Sequence, residues 1–386
     1  MRKNPFASVL VLSKKILAEY DLCDYCLGRL FAKKLGLSSN KKLGEKIHHA
    51  LKTKTAKCYV CKNIFDKIPT YVEKMQDISS EYGYQTFLVG AKLKPSILDR
   101  DDHLRSHFKL RGMEGIKTNI TRQLAKQFSR KTKKKGQQLE PDITFTVDFK
   151  TESCDIQSKP VFVSGRYTKS DRNTPQKQKP CPNCFGRGCL SCNHHGISEY
   201  DSVEGEMSRY FFEKFGAAQA KITWIGGEDS TSLVTGSGRP FFAKLLRPKK
   251  RNLRLPKKLA LKKITVFSLR QIKKIPATPM RFVSKTRLLI TTEKPILQES
   301  LQKLLQLKKS TIAVYEKSGK RAEKLIYDVK CKTNSENSFY LSLVIDGGVP
   351  LKRFVSGDDV FPNVSDILEN KSKCETFDFE QVKITN

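Results

Sequence analysis

The stretch from Trp224 to Phe241 reads WIGGEDSTSLVTGSGRPF, and it places a turn between two strand-like runs. The first run ends at two glycines, and the acidic pair Glu228 and Asp229 follows directly. The later glycines, Gly236 and Gly238, are not followed by a helical pattern, so they do not form a nucleotide-binding loop. Taken alone, this segment fits either a charged turn between strands or one edge of an active site.

Residues 197–386 continue the alternation of strand-like and helix-like runs, which predicts one larger domain. The run from Arg247 to Lys263 contains two prolines and many basic residues, which predicts a mobile basic loop. The strand candidates of this domain are KITWIGG, RPFFAKLL, KTRLLITT, TIAVYEK and FYLSLVID.

Two groups of four cysteines lie before this segment, and each group consists of two C-x-x-C pairs. Such pairs place four thiolates around one point, in the tetrahedral geometry that Zn²⁺ prefers. A site closed by four sulfur ligands has no position for a substrate, so we expect the zinc to be structural. Disulfides are the alternative, but C-x-x-C pairs without a secretory signal favour metal in a reducing, cytoplasmic compartment. The predicted ligands are Cys23, Cys26, Cys58 and Cys61, then Cys181, Cys184, Cys189 and Cys192.

The chain is strongly basic. Lys and Arg number 73 against 39 Asp and Glu, which gives a formal net charge of +34. This excess favours a polyanionic partner, because each phosphate that a basic side chain neutralises releases counterions. Together with the cysteine pairs it predicts a nucleic acid. No run reaches the ~20 apolar residues of a bilayer span, so we expect no membrane partner. No obligatory protein partner is evident.

The first half of the chain has three predicted parts. Residues 1–61 are expected to be a helical zinc-binding segment, since Leu43, Ile47 and Leu51 recur on one helix face. Residues 62–178 alternate strands and helices, which indicates a compact α/β module with strands TFLVGAKL, ITFTVDF and PVFVSGRY. Residues 179–196 form the second cysteine knuckle.

Four segments together resemble the archaeal and eukaryotic family of tRNA pseudouridine synthases that act on positions 54 and 55 of the T-arm. They are GRYTKSDRNTPQ at 165–176, SVEG at 202–205, GGEDSTSLVTGSGRPF at 226–241 and GGVPLKRFVSGDDVFPNVSDIL at 347–368. The resemblance implies an α+β protein with an N-terminal zinc and THUMP-like α/β module that binds tRNA. It implies a pseudouridine synthase domain at 197–386, with a mixed, mainly antiparallel sheet and no organic cofactor.

The resemblance also implies the site residues. It assigns Asp229 as the catalytic aspartate, because one ionised carboxylate near C1′ can act as nucleophile or take a sugar proton. A carboxylate in a pocket needs a cation to stay ionised. By analogy that cation is Lys352, and Arg353 is the fallback. Arg239 lies in the same motif as Asp229 and is assigned to substrate binding. Glu228 ranks lower, since an extended backbone turns it to the other face.

The sequence departs from the family at several positions of the site. The residues after the aspartate, STSL at 230–233, stand where the family usually has acidic and basic residues. Gly227 stands where the family has an arginine, and Thr286 and Pro350 stand where it has tyrosines. The first of those tyrosines packs on the target base, so Thr286 is the predicted base-contacting position although it has no ring. Phe282, four residues earlier, has a ring and could stack on the base only if the register of this strand differs. The losses fit a divergent site, relaxed target choice or a degenerate enzyme.

Basic residues near these segments are predicted to hold RNA phosphates rather than to read bases. One group precedes the second knuckle, and the other follows the strand that begins at Phe241, which predicts a position near the cleft. A solvated surface charge is the alternative for each of them. The residues are Arg166, Lys169, Arg172, Lys249, Lys250 and Arg251.

Two other functions compete with the synthase interpretation. A non-catalytic, zinc-containing tRNA-binding protein or RNA chaperone would explain the missing tyrosines. A methyltransferase or a sulfur-transfer enzyme fused to a THUMP-like module is the second rival. It is disfavoured, because no glycine-rich nucleotide loop is apparent and Cys331 and Cys374 lack a C-x-x-C context.

Overall fold

The computed structural model describes residues 5–277, 279–316 and 319–385. The chain divides into two units, Met1–Lys159 and Pro160–Asn386. The predicted boundary at 178 is wrong, because the strand PVFVSGRY belongs to the sheet of the second unit. The second knuckle, predicted as a separate part at 179–196, also lies inside the second unit.

The first unit starts with helices and continues into a small mixed sheet. Its helices are α1 (Pro5–Glu19), α2 (Asp24–Arg29), α3 (Asn40–Leu51), α4 (Ile64–Ser79), α5 (Pro95–His107) and α6 (Ile116–Thr132). Its strands are β1 (Thr86–Lys92), β2 (Lys135–Gly136), β3 (Ile143–Asp148) and β4 (Ser153–Ser158). The sheet order is β2-β1-β3-β4. Strand β1 is parallel to β2 and β3, whereas β4 is antiparallel to β3.

One hydrophobic core runs through the whole first unit. It contains Leu43 and Ile47 of α3, as the helical period predicts, together with Phe87 and Phe145 of the sheet. The Ser39 hydroxyl caps α3 by accepting a hydrogen bond from the Lys42 amide. Because the core is shared, residues 1–61 and the α/β elements after them form one folded unit and not two.

The described part of the second unit forms an 11-stranded sheet. Its first strands are β5 (Val161–Lys169), β6 (Gln219–Trp224), β7 (Val234–Leu246), β8 (Lys258–Ala260), β9 (Ile264–Ile272) and β10 (Phe282–Thr292). They are followed by β11 (Ser310–Tyr315), β12 (Arg321–Ser335), β13 (Ser338–Asp346), β14 (Val360–Phe361) and β15 (Ser372–Ile384). The order is β14-β11-β12-β13-β10-β15-β7-β5-β9-β8, and β6 pairs with β7.

This sheet is antiparallel except where β15 runs parallel to β7, so the predicted mixed, mainly antiparallel α+β fold is confirmed. Its helices are α7 (Val203–Phe215), α8 (Gln298–Leu305), α9 (Leu351–Ser356) and α10 (Val364–Leu368), with a short 3-10 helix at Leu190–Cys192. Helix α7 packs on Val163 and Tyr167 of β5. The Ser202 hydroxyl caps α7 by accepting from the Gly205 amide.

The basic run from Arg247 to Lys263 differs from its prediction as a mobile loop. The run contains β8. Four leucines, which alternate with its basic residues, pack against the core beneath α7 and hold the run in place. These are Leu253, Leu255, Leu259 and Leu261. In the described ranges, no helix has both the length and the apolar character needed to cross a bilayer.

Candidate active site and metal centres

The turn after β6 carries Asp229. In the sheet register Trp224 lies opposite Phe241 of β7, and the chain leaves the sheet at Gly226 with φ of +75°. A Cβ at Gly226 would lie 2.5 Å from the ring of Phe282, so a larger residue would displace that ring. Gly347 approaches the same ring equally closely. Glycine at both positions therefore lets Phe282 close one side of the site.

The Asp229 carboxylate receives hydrogen bonds on both oxygens. Lys352 Nζ of α9 donates to Oδ2 at 2.7 Å. The amide and hydroxyl of Thr231 donate to Oδ1 at 3.0 and 3.1 Å. The bond from Lys352, followed by that from the Thr231 amide, lowers the pKa of Asp229 to about 2. The sequence-predicted pair thus comes together, 123 residues apart in the chain, with the carboxylate ionised.

The side chain of Glu228 also borders the cavity but is fully buried in an ion cluster. Its carboxylate lies 3.4 Å from Lys169 Nζ and 3.3 Å from Arg239 Nε, and all three side chains have 0% exposure. The Tyr167 hydroxyl donates to it at 2.9 Å. Burial, with Glu228 as the next cause, raises the pKa of Tyr167 well above its usual range, so this hydroxyl stays a donor.

Lys169 and Arg239, both predicted to bind substrate, are buried and hold the turn that carries Asp229. Arg239 also borders the cavity at Asp229, whereas Lys169 does not. Lys169 Nζ donates to the backbone oxygens of Asp229 and Ser230, each at 3.2 Å. Arg239 Nη1 donates to Ile225 O at 2.8 Å. The turn is therefore held on both sides of Glu228. The sequence does contain a pattern that predicts the burial of Lys169, because strand alternation places it on the same face as the apolar residues of β5.

Arg172 also serves the scaffold. It forms two hydrogen bonds with the carboxylate of Asp378 of β15, at 2.9 and 2.8 Å, and donates to Thr231 O. Asp378 in turn accepts from the Leu233 amide at 2.8 Å. Arg172 therefore ties the segment after Asp229 to β15, in place of the predicted phosphate contact.

Lys249, Lys250 and Arg251 do not lie near the cleft as predicted. They follow Leu246, which pairs with Gln219 at the start of β6, whereas the Asp229 turn follows Trp224 at its end. The two ends of β6 are five residue steps apart, which corresponds to about 17 Å at ~3.3 Å per residue. The amides of Lys249 and Lys250 both donate to Phe215 O at the end of α7.

The rings of the site are arranged differently from the prediction. Thr286 is fully buried within the sheet, so it does not contact a base from the cavity. Phe282 lies on the same face of β10, four residues earlier, and lines the cavity with Asp229. Pro350 lines it too, next to the start of α9. Phe282 is therefore the aromatic residue of β10 that borders the cavity.

The cavity has a volume of about 510 Å³. Apolar side chains form most of its wall, and Asp229 and Lys352 form an ion pair at its edge. The other polar residues that border it are Glu228, Arg239, Ser284, Asp346 and Arg353. This is the usual composition of a ligand pocket. Arg353, the fallback partner of Asp229, also borders the cavity, but its guanidinium pairs with Asp359 at 2.7 Å. The apolar wall includes Phe282, Ile345, Val349, Leu351, Phe377 and Phe379.

The first cysteine group is built into the core of the first unit. The four Sγ atoms of Cys23, Cys26, Cys58 and Cys61 all lie within 4.8 Å of one another, and Cys23 is 3.6 Å from Cys61. Zn–S bonds of ~2.3 Å at the tetrahedral angle place sulfurs about 3.8 Å apart. The donor set and its spacing therefore fit one Zn²⁺ ion.

The second group fits the same ion. Its sulfur distances are 3.9 Å for Cys181 and Cys189, 3.8 Å for Cys184 and Cys192, and 3.7 Å for Cys189 and Cys192. The backbone amides of Cys189 and Gly196 donate to Cys192 Sγ, and the first of these is the main cause that lowers the pKa of Cys192 to about 6. Amides aimed at sulfur stabilise the thiolate form that binds metal.

Comparison with known proteins identifies both units. Residues 162–383 match the family model "Pus10, C-terminal", and residues 71–148 match "Pus10 THUMP domain, archaeal". The fold is thus that of a THUMP domain followed by a pseudouridine synthase domain. Several curated proteins named tRNA pseudouridine synthase Pus10 are similar over nearly the whole chain.

The relative from Nitrosopumilus maritimus is 50% identical over 98% of this chain and 99% of its own. The one from Cenarchaeum symbiosum is 37% identical over 95% of this chain and 90% of its own. That from Methanocaldococcus jannaschii is 30% identical over 97% and 95% respectively. The chain belongs to the Pus10 family, which confirms the resemblance found in its motifs.

We expect metal analysis to find about two zinc ions per chain, one for each Cys₄ group. Cys26→Ser and Cys181→Ser should each remove one ion, because three thiolates cannot complete the tetrahedron. Cys26→Ser should also lower the melting temperature more, since Cys26 is buried in the main core and the second group lies in a loop. Cys331→Ser, outside both groups, is the control. Two ions retained in both ligand variants would contradict the assignment.

We expect Glu228→Gln to lower the free energy of unfolding by about 3–5 kcal/mol, because it leaves two buried cations without a counterion. Asp229→Asn should cost less than about 1 kcal/mol, since its pair with Lys352 is partly exposed. Urea unfolding at pH 7 of the two variants provides the comparison. Equal costs would show that the buried cluster does not hold the turn.

Proposed function

We propose that this protein isomerises uridine 54, uridine 55 or both in the T-arm of tRNA, with Asp229 as the catalytic residue. The observation that supports this most directly is the ionised carboxylate of Asp229, paired with Lys352 at 2.7 Å, at a cavity whose wall is largely apolar. The family relatives are named for this class of reaction. The net charge of +34 and the THUMP match support tRNA as the partner.

The chemistry needs one carboxylate and conserves all atoms. Asp229 attacks C1′ of the uridine as the N1–C1′ bond breaks, and the uracil leaves with the bonding electron pair. The base turns, C5 forms the new bond to C1′, and the Asp229–C1′ bond breaks. C5 then loses its proton and N1 gains one. Alternatively Asp229 removes the proton at C2′ and a glycal forms. A primary isotope effect with 2′-deuterated uridine would distinguish the second route.

Lys352 keeps the carboxylate ready for either route. The ammonium holds Asp229 ionised, while the Thr231 bonds fix Oδ1 and leave the Lys352-bonded oxygen at the cavity. In this reaction no redox partner or organic cofactor is required, since reactant and product are isomers. The two cysteine groups lie outside the lining of this cavity, so zinc has a structural role in the proposal.

Phe282 is the proposed platform for the target base. A uridine must leave its stack to reach Asp229, and an aromatic ring in the pocket compensates part of the lost stacking. The ring of Phe282 borders the cavity and is held against Gly226 and Gly347. A phenyl ring thus replaces the tyrosine of the family without its hydroxyl.

The first test is tritium release from C5-labelled uridine in an unmodified tRNA transcript. We expect wild type to release tritium and Asp229→Asn to lose at least about 10³-fold in rate, because the amide is not nucleophilic. Asp328→Asn is the matched control: Asp328 pairs with Lys308 at 2.8 Å with similar exposure, outside the cavity. It should keep the wild-type rate.

Three outcomes of this assay separate the alternatives. Release that stops when position 54 or 55 of the transcript is cytidine identifies the modified uridine. Tritium release that continues when both positions are cytidine contradicts the T-arm assignment. No release by wild type, despite tight tRNA binding, favours the non-catalytic tRNA-binding protein.

The pH profile tests the role of Lys352. Asp229 must be ionised, so activity falls as pH drops through its pKa, which at about 2 lies below the working range. Lys352→Met removes the largest cause of that lowering, so the pKa of Asp229 rises. We expect the variant, but not wild type or Lys352→Arg, to lose activity progressively below about pH 5. Parallel profiles for wild type and Lys352→Met would exclude this role.

A further inference from the structure

A second cavity, of about 630 Å³, lies beside β5, β7 and β9. Three cationic residues line it, Arg166, Lys257 and Arg270, and none of its lining residues is acidic. Its remaining wall is apolar, with two serine hydroxyls. In a chain where many basic side chains pair with carboxylates, this concentration of one charge is distinctive.

This cavity is separate from the one at Asp229. Tyr167 and Arg239 are register partners on β5 and β7, and both side chains contact Glu228 on the catalytic face. Arg166 pairs with Pro240, one residue along each strand, so its side chain leaves the opposite face. The two cavities therefore lie on opposite faces of these strands.

Arg166 has an oriented but uncompensated charge. Its guanidinium donates to Ser237 O, Gly238 O and Val382 O at 2.6, 2.7 and 2.6 Å. These carbonyls fix the position of the guanidinium without carrying a formal negative charge. Burial lowers the pKa of Arg166. A partly buried cation without a counterion is costly, and an anion in the cavity would offset that cost.

A β-bulge brings the other two cations to the same place. The register between β5 and β9 shifts between Ser164 and Arg166, and Ser268 on β9 has φ of +54°. The Ser268 amide donates to Lys257 O at 3.2 Å, which anchors the Lys257 backbone at the bulge. Arg270 Nε donates to Ser164 Oγ at 3.2 Å. Across the described ranges, none of the three cations forms an ion pair with a carboxylate.

We propose that Arg166, Lys257 and Arg270 form a binding site for a phosphate group, separate from the active site. Guanidinium groups match the oxygens of a phosphate, and three cations suit its charge better than that of a single carboxylate. The apolar part of the wall, with Phe242, Leu255 and Leu269, suits an attached sugar or base. The two sources of such a group are the backbone of the RNA substrate, which rests on the proposed function, and a free phosphate compound.

The salt dependence of tRNA binding tests the RNA source without requiring turnover. Each phosphate contact contributes about 0.7–0.9 to the slope of log affinity against log salt. Because the three cations share one phosphate, we expect the double variant of Lys257→Gln and Arg270→Gln to reduce that slope by about 0.7–0.9, and each single variant to reduce it by part of this amount. Lys257 and Arg270 are both exposed, so the melting temperatures of these variants should match that of the wild type. Arg166 is left intact, because its carbonyl bonds support the turn at Gly238.

Arg321→Gln is the matched control, since Arg321 is an exposed arginine that pairs with Glu323 on β12. If it reduces the slope as much as Arg270→Gln, the effect is one of general charge and the proposed site is wrong. The second arm is titration calorimetry with inorganic phosphate and wild type, Arg270→Gln or the double variant. Phosphate binding that the variants lose, with an unchanged tRNA slope, assigns the site to a free phosphate compound. An unchanged slope and no phosphate binding by wild type would overturn the proposal.

The result is independent of catalysis. Failure of the tritium-release assay leaves the binding measurements interpretable, because they need only the folded chain and tRNA. Conversely, an active enzyme whose double variant binds tRNA with the wild-type slope, and whose wild type binds no phosphate, keeps the proposed function and loses this site.

Discussion

The ion pairs of the buried Glu228 carboxylate are the interaction on which the turn that carries Asp229 depends. The carboxylate lies between Lys169 of β5 and Arg239 of β7, so its two ion pairs join the turn to both strands. Lys169 also holds the backbone oxygens of Asp229 and Ser230. Charges this deeply buried are stable only when their partners are complete. The same constraint that fixes Glu228 inward therefore presents the next residue, Asp229, to the cavity.

The neighbouring carboxylates of Glu228 and Asp229 thus differ in role, because they differ in burial and in the groups that they pair with. Glu228 has fully buried partners and supports the backbone. Asp229 is partly exposed, faces a lysine from α9 and keeps a low pKa. Ser230 and Thr231 follow it in place of the charged residues of the family, and the Thr231 bonds to Oδ1 show that short polar side chains can hold the carboxylate. This turn therefore remains ordered although the family arginine is replaced by Gly227.

The two cysteine groups lie in different surroundings, one inside a hydrophobic core and the other in a loop. The first has three of its four cysteines inside the main core of the first unit, so the metal site and the hydrophobic core stabilise the same fold. The second lies in a loop before α7, where few apolar side chains hold the chain. There, His195 stacks on Phe212 of α7 at 3.8 Å and ties the knuckle to the helix. Sulfur distances of 3.6 Å in the first group and of 3.8 and 3.9 Å in the second are close to what four-sulfur zinc requires.

Much of the fold was predictable from local patterns. The helical period of Leu43 and Ile47 and the alternation in ITFTVDF are confirmed as α3 and β3, and the C-x-x-C spacing predicts both metal groups. The boundary at 178 is wrong because β5 pairs with β7 and β9, which come much later in the chain. A strand's periodicity reports which of its faces is buried, but it does not identify the sheet to which the strand belongs.

The sequence by itself determined the family, the Cys₄ groups and the pair Asp229 and Lys352, because these are carried by residue types at fixed spacing within motifs. Only the tertiary structure decided what each basic residue does. Lys169 and Arg239 are buried supports of the turn, and the partly exposed Arg172 pairs with Asp378 of β15. Arg166 and Arg270 line a second cavity on the other face of the sheet. The physical reason is that the role of a charge depends on its burial and its partners, and strand pairing over long sequence distances sets both.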